Sequence, residues 1–233
     1  MKPSSSASPS CFPFCIPRAK CFRIGGMAEY KLVRGHHTND YLVHTADGWL
    51  MVDNDWPGRF IQTAGALKRA GVRMADVKYL FNTHYHVDHA GLSQELKKQG
   101  ATLIILDTQL PHIKVDETYS RDPGMAAFQP ITMENVVVIS AADSRSYLNK
   151  IGLRGEILST PGHSPDSAAL IVDGLGAFVG DMPPFEYLPM FRNAELDSSW
   201  RNVLAHDPPM IFPAHPEPFV PDLTLMPQPG YLD

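Results

Sequence analysis

From Tyr30 onward the chain alternates between short apolar runs and polar punctuation. Residues 31–34, 40–45 and 49–53 are apolar or β-branched stretches of strand length. Ala46-Asp47-Gly48 between the last two supplies a hairpin turn, with glycine for the positive φ. The period then changes. Phe60, Ile61, Ala64 and Leu67 recur at helical intervals; Pro57-Gly58 opens this helix and Gly71 stops it after about Ala70. Residues 77–82 read as a buried strand, 91–99 as a helix ended by Gly100, and 101–106 as the next strand. Strand, helix, strand, loop, helix and strand in turn make an α/β pattern. Residues 107–135 carry no clear period. They hold Asp107, His112, Asp116, Glu117, Tyr119, Arg121 and Phe128 among Pro111, Pro123, Gly124 and Pro130. The second half returns to strands at 135–139, 146–148, 154–159, 167–172 and 177–179. An outer helix follows at 194–205, and a last strand from Met210 runs into Pro213-Ala214-His215.

At 233 residues the chain makes one large domain or two small ones, with room for a sizeable core. Its 44% apolar and 19% charged content is that of an ordinary globular protein. A net charge of −5 argues against nucleic acid as the default partner. No run of 18 apolar residues is present, so no membrane-spanning helix is expected. Residues 1–26 differ from the rest: Pro3, Pro9, Pro13 and Pro17, five serines and all three cysteines fall here. Pro13 and Pro17 interrupt any apolar core of a signal peptide. Cys11, Cys15 and Cys21 lack a fourth ligand partner for a metal. A disordered extension is expected, with Met27 as a plausible native start and residues 27–233 as the domain. With no cysteine after residue 26, disulfides cannot staple that domain, which fits a cytoplasmic protein.

The chemistry is concentrated in residues 80–91, where His84, Tyr85, His86, Val87, Asp88 and His89 spell H-x-H-x-D-H. Neutral imidazole is a common metal ligand and carboxylate a hard oxygen donor. Alternate residues of an extended segment point the same way, so His84 and His86 can reach one ion. Asp88 and His89 follow where the chain turns into a helix, and can reach a neighbouring position. The plainer reading is a solvated polar loop. The apolar run before it and the helix after it speak against that, since loops at strand ends are where sites are built.

This motif resembles the signature of the metallo-β-lactamase superfamily, from about Met27 to the C-terminus. The resemblance implies an α/β fold, a four-layer αβ/βα sandwich of two mixed β-sheets flanked by helices. It also implies three further ligands at strand ends. His163 stands in Thr160-Pro161-Gly162-His163-Ser164-Pro165, close to the family's second motif, where Pro161 and Gly162 force a sharp turn. The following Asp166-Ser167 departs from the Gly-His or Gly-Ser pairs common there. Asp181 closes the strand at Gly180, where true β-lactamases typically carry Cys or Ser, so Asp181 speaks against antibiotic hydrolysis. His215 in Pro-Ala-His resembles the last motif; His206, its rival, ends a helix instead of a strand. Asn39 and Asp53 stand at family positions, and Asp53 either hydrogen-bonds a metal ligand or caps a strand end. Tyr187, in the proline- and aromatic-rich stretch after Asp181, resembles a lactonase oxyanion donor, but its spacing from Asp181 does not match. His36, His37, His44 and His112 read as surface or rim residues. Within 107–135 a lid with a substrate-facing Tyr119 or Phe128 is one reading, and a plain loop or surface helix the other.

The resemblance then assigns His84, His86 and His163 to one metal, Asp88, His89 and His215 to a second, and Asp181 as the bridge. Two divalent ions are implied. Zinc is the family default, and iron or manganese also suit a mixed nitrogen and oxygen site. Such a pair activates a shared water for hydrolysis, with Asp88 carrying the proton. A small ester, lactone or thioester is the expected substrate class. A phosphodiesterase or nuclease is the first alternative, against which the chain shows no large insertion and no basic patch. An iron-dependent oxidoreductase, such as a persulfide dioxygenase or a flavodiiron protein, is the second. Flavodiiron proteins replace one motif histidine by Glu, whereas His86 is intact, and the dioxygenases use one metal, whereas seven ligands imply two. A small-molecule partner is expected, with no nucleic acid or membrane, and a homodimer is compatible.

Overall fold

The computed structural model describes residues 28–36, 38–113, 123–228 and 230–232. Among these residues, ten strands form two sheets. The first holds β1 (Tyr30–Arg34), β2 (Asn39–His44), β3 (Trp49–Val52), β4 (Val77–Phe81), β5 (Thr102–Leu106) and β6 (Val136–Ile139) in that order. β1, β2 and β3 pair antiparallel; β3, β4, β5 and β6 pair parallel. The second sheet runs β10 (Ile211–Pro213), β9 (Gly176–Gly180), β8 (Ala168–Val172), β7 (Gly155–Ser159), with β9 and β10 parallel and the remaining pairs antiparallel. Both sheets are mixed, as expected.

Side-chain alternation explains the layers. In β2 and β3, Tyr41, Val43, Leu50 and Val52 face inward, where they meet Ile157, Leu170, Phe178 and Phe212 of the other sheet. Phe178 stacks on Phe212 at 4.5 Å between ring centroids, and Tyr41 meets both rings edge-on. Leu42, Met51, Leu80, Leu103 and Ile105 point the other way, under α1 (Phe60–Arg69) and α3 (Ser93–Lys98). On the opposite side Ala169, Ile171, Ala177, Val179 and Ile211 are covered by Leu196, Trp200 and Val203 of α5 (Ala194–Leu204). A strand buried on both faces reads as a continuous apolar run, as in residues 103–106 and 168–172. Helix, sheet, sheet and helix give the four layers.

Two local expectations change. Residues 146–148 are not a strand but part of α4 (Ala141–Lys150). Ser140 caps this helix by accepting the Asp143 N–H at 3.1 Å, and Ser144 and Leu148, four apart, are its buried face. Helix 91–99 starts earlier, as the short turn α2 (Val87–Ala90) inside the histidine motif, and resumes as α3. The region 107–135 contains 3₁₀ turns at Asp107–His112 and Pro123–Ala127. The expectations for residues 1–26, His37 and Tyr119 fall outside the described residues. Among the described residues, no helix is long and apolar enough to cross a membrane.

Candidate metal centre

The loops after β3, β4, β7, β9 and β10 converge at one edge of the sandwich, outside the carboxyl ends of their strands. Seven donors meet there in two groups, His84, His86, His163 and Asp181, then Asp88, His89 and His215, with donor atoms in each group within 4.8 Å of one another. In the first group His86 Nδ1 lies 2.9 Å from His84 Nε2 and 3.2 Å from His163 Nε2. Asp181 Oδ2 lies 3.9 Å from His84 Nε2 and 3.5 Å from His163 Nε2. In the second, Asp88 Oδ2 is 3.6 Å from both His89 Nε2 and His215 Nε2. The other oxygen of Asp181, Oδ1, is 3.3 Å from His89 Nε2 and 3.1 Å from His215 Nε2. Nitrogens bound tetrahedrally at ~2.0–2.1 Å stand about 3.3 Å apart, so these separations fit one cation per group.

Buried polar atoms give an independent test of fit. His89 Nε2 and Asp181 Oδ1 are buried and lack a well-aligned hydrogen-bond partner among the described residues. A buried ring nitrogen and a buried carboxylate oxygen left so are costly unless a cation accepts a lone pair from each. Both aim into the space that His215 and Asp88 also face.

Several of these donors are held by traceable devices. Asp53, just past β3, adopts a left-handed φ of 58°, which an aspartate tolerates and which turns its carboxylate toward the histidine loop. Its Oδ2 accepts His89 Nδ1–H at 3.0 Å, leaving Nε2 to face the cluster. Thr83 donates its backbone N–H to Asp53 Oδ1 at 2.8 Å and its hydroxyl to Oδ2 at 2.9 Å. The same hydroxyl oxygen lies 3.2 Å from His84 Nδ1 and can accept its proton. One carboxylate thereby orients two imidazoles, directly and through Thr83. On the other side Asn39 Nδ2 donates to Pro216 O at 2.9 Å, and Tyr41 donates to Pro213 O at 2.7 Å, fixing the turn that carries His215. Gly162, at φ 138°, must be glycine, because a Cβ would stand 2.7 Å from Leu196 Cα.

Electrostatics follow from burial. Burial pushes His84 well below the ordinary histidine value, with His89 nearby adding to the shift, and burial also lowers His163. Both therefore present lone pairs at neutral pH. For His89 burial acts the same way, but Asp53 and Asp181 outweigh it, and its value rises. Asp181 loses solvation on burial, yet His215 and His89 overcompensate and hold its carboxyl well below the usual range. It is an anion at neutral pH.

All seven predicted ligands thus come together. Tyr187 sits in a 3₁₀ turn (Phe185–Tyr187), about half exposed, and makes no hydrogen bond or ion pair with the cluster among the described residues. His206 lies away from the cluster, bonded to Asn202 O at 2.8 Å and 3.3 Å from Glu156. His44 packs edge-on against Trp49 at 5.0 Å. Sequence reasoning missed Thr83, Tyr41 and the buried Gln109, whose bonds to Asp53, Pro213 and Asn82 join segments far apart in the chain and leave no motif.

Comparison with known proteins agrees with this geometry. No curated protein matches the sequence. Among solved structures, the metallo-β-lactamase SMB-1 bound to 2-mercaptoethanesulfonate superposes with a TM-score of 0.62 at 20% identity, covering 84% of this chain and 80% of that one. A metallo-β-lactamase family protein from Thermus thermophilus gives 0.58 at 19% identity, covering 78% and 70%. A metallo-β-lactamase with a HARLDQ motif from Cronobacter sakazakii gives 0.60 at 21%, covering 83% and 80%. At these identities the likeness concerns the fold. The family model "Metallo-beta-lactamase superfamily" matches residues 33–215, from β1 to the last predicted ligand, and the chain belongs to that superfamily.

Proposed function

We propose that the protein is a binuclear zinc hydrolase that cleaves a small ester, lactone or thioester. The observation that carries this reading is Asp181, whose Oδ2 faces His84 and His163 while Oδ1 faces His89 and His215. A carboxylate with one oxygen toward each donor group is the bridge that a two-metal site requires. His84, His86 and His163 would hold the first ion, and Asp88, His89 and His215 the second. Two such ions supply a water acidified toward pKa ~7 and a Lewis acid for the substrate's carbonyl oxygen. The protein's own groups do the rest. His163 and His215 are the more exposed ligands, at 28% and 43% of their side-chain surface, so substrate approaches over them. Asp88, 23% exposed and beside His215, is placed to take the proton of the attacking water and deliver it to the leaving group. Asp181 in place of Cys or Ser separates the site from β-lactam hydrolysis.

The test is a metal count by plasma mass spectrometry on protein purified without chelator, joined to hydrolysis assays on lactones, thioesters, phosphodiesters and a β-lactam. Close to two zinc ions per chain and turnover of a lactone or thioester are expected. His86→Ala should fold, lose one ion and lose at least ~10³-fold in kcat/KM, since a missing ligand removes transition-state stabilisation of several kcal/mol. One iron per chain, or metal content unmoved by His86→Ala, overturns the reading.

A further inference from the structure

The sequence departs from its family right after the second motif, at Asp166. Its carboxylate is buried, and Oδ2 accepts the backbone N–H of Tyr85 at 2.7 Å. Tyr85 lies between His84 and His86, and Asp166 lies three residues beyond His163. One hydrogen bond therefore joins the loops that carry all three imidazoles of the first group. A second residue closes the same junction. Gln109, fully buried in the 3₁₀ turn after β5, directs Nε2 at three carbonyl oxygens: Asn82 at 3.0 Å, Asp166 at 3.1 Å and Thr83 at 3.3 Å. Its Oε1 accepts the Leu106 N–H at 3.2 Å, which fixes which way the amide faces. Ala168 N–H donates to Thr83 O at 2.7 Å and completes the seam.

We infer that Asp166 and Gln109 are positioning residues that set the spacing between the His84–His86 loop and the His163 loop, and so control the affinity of the first metal position selectively. The physical ground is that a ligand set tolerates only about 0.5 Å of displacement, and these loops come from different sheets. The second group is held by other means, Asp53 on His89 and Asn39 on the His215 turn. Loosening the seam should spare it. Asp181 serves both groups but follows β9, and its ion-pair partners are the histidines of the cluster.

This inference rests on the metal-site reading above, and the experiment separates the two. Metal-free protein is titrated with Zn²⁺ against a chromophoric chelator. The parent chain should take up two ions. Asp166→Ala and Gln109→Leu should weaken one class by about 10–100-fold and leave the other within twofold, since removing such outer partners has effects of that size. Asp166→Asn, which keeps an acceptor oxygen for Tyr85 N–H, should recover most of the affinity. Asp166→Glu keeps a buried carboxylate but lengthens the arm, and serves as a second variant should an alanine fail to fold; the same selective loss is expected. Equal weakening of both classes means general loosening and overturns the inference, as does no change in either. A parent chain that binds no Zn²⁺ overturns the metal-site reading first, and this one with it.

Discussion

At the residue scale, the acidic side chains under the site divide by what they touch. Asp53 is saturated by His89 and Thr83, and its carboxyl oxygens set the direction of the imidazole. Asp40, fully buried one residue into β2, is different. Thr38 donates to its Oδ1 at 2.8 Å, while Oδ2 has no hydrogen-bond partner among the described residues. Burial raises its carboxyl well above the ordinary range, with Asp55 adding to this, Asp53 acting likewise, and Thr38 and His89 opposing. The sign follows. The folded chain binds this proton more tightly than the unfolded chain does. The linked stability is fully present below the unfolded value of ~3.9 and is lost as pH rises through the raised folded value. In metal-free protein, Asp40→Asn should therefore show a smaller fall in Tm between pH 4 and pH 8 than the parent chain. Parallel Tm curves would show that Asp40 ionises without cost.

At the scale of elements, the strands and the helix α4 show what sequence patterning can and cannot see. Strands were legible wherever two faces are buried or alternation is clean, as in β2, β3 and β8. The histidine motif, the Pro-Gly-His turn and the Gly-Asp strand end were legible because metal chemistry demands particular residue types at short spacing. α4 was not. Ser146-Tyr147-Leu148 reads as a short strand, and the helix is decided instead by its cap: Ser140 accepts Asp143 N–H and donates to Asp143 Oδ2 at 2.7 Å. Ser140→Ala should cost about 1 kcal/mol and lower Tm by about 2–4 °C, with metal content unchanged. An unchanged Tm would mean that packing of Leu148 against the sheet core holds α4 without its cap. Gln109 was illegible for a deeper reason. Its partners Asn82, Thr83 and Asp166 are 26 to 57 residues away, and no local period marks such a contact.

At the scale of the molecule, the seven donors are divided between the sheets. His84, His86, Asp88 and His89 follow β4 of the first sheet, while His163, Asp181 and His215 follow β7, β9 and β10 of the second. Each proposed ion therefore bonds to both sheets and closes the sandwich at one edge. Without ions, that edge gathers imidazole rings at centroid distances of 4.0–5.5 Å around partly buried carboxylates, an arrangement that gains little from its own contacts. The apolar interior between the sheets is independent of it, so the metal-free chain should stay folded yet be less stable. An ion present at 100 times its dissociation constant adds about 2.7 kcal/mol, which for a chain of this size corresponds to ~5–11 °C in Tm. A chelator should therefore lower Tm by that amount per ion removed, and added Zn²⁺ should restore it. Amide exchange should accelerate in the loops at 82–91, 160–167 and 214–216, while β8 and β9, buried along their length, stay protected. A Tm indifferent to chelator would mean that the two sheets hold this edge closed by protein contacts alone, with the Asp166–Gln109 seam and the Asn39 clamp carrying the whole load.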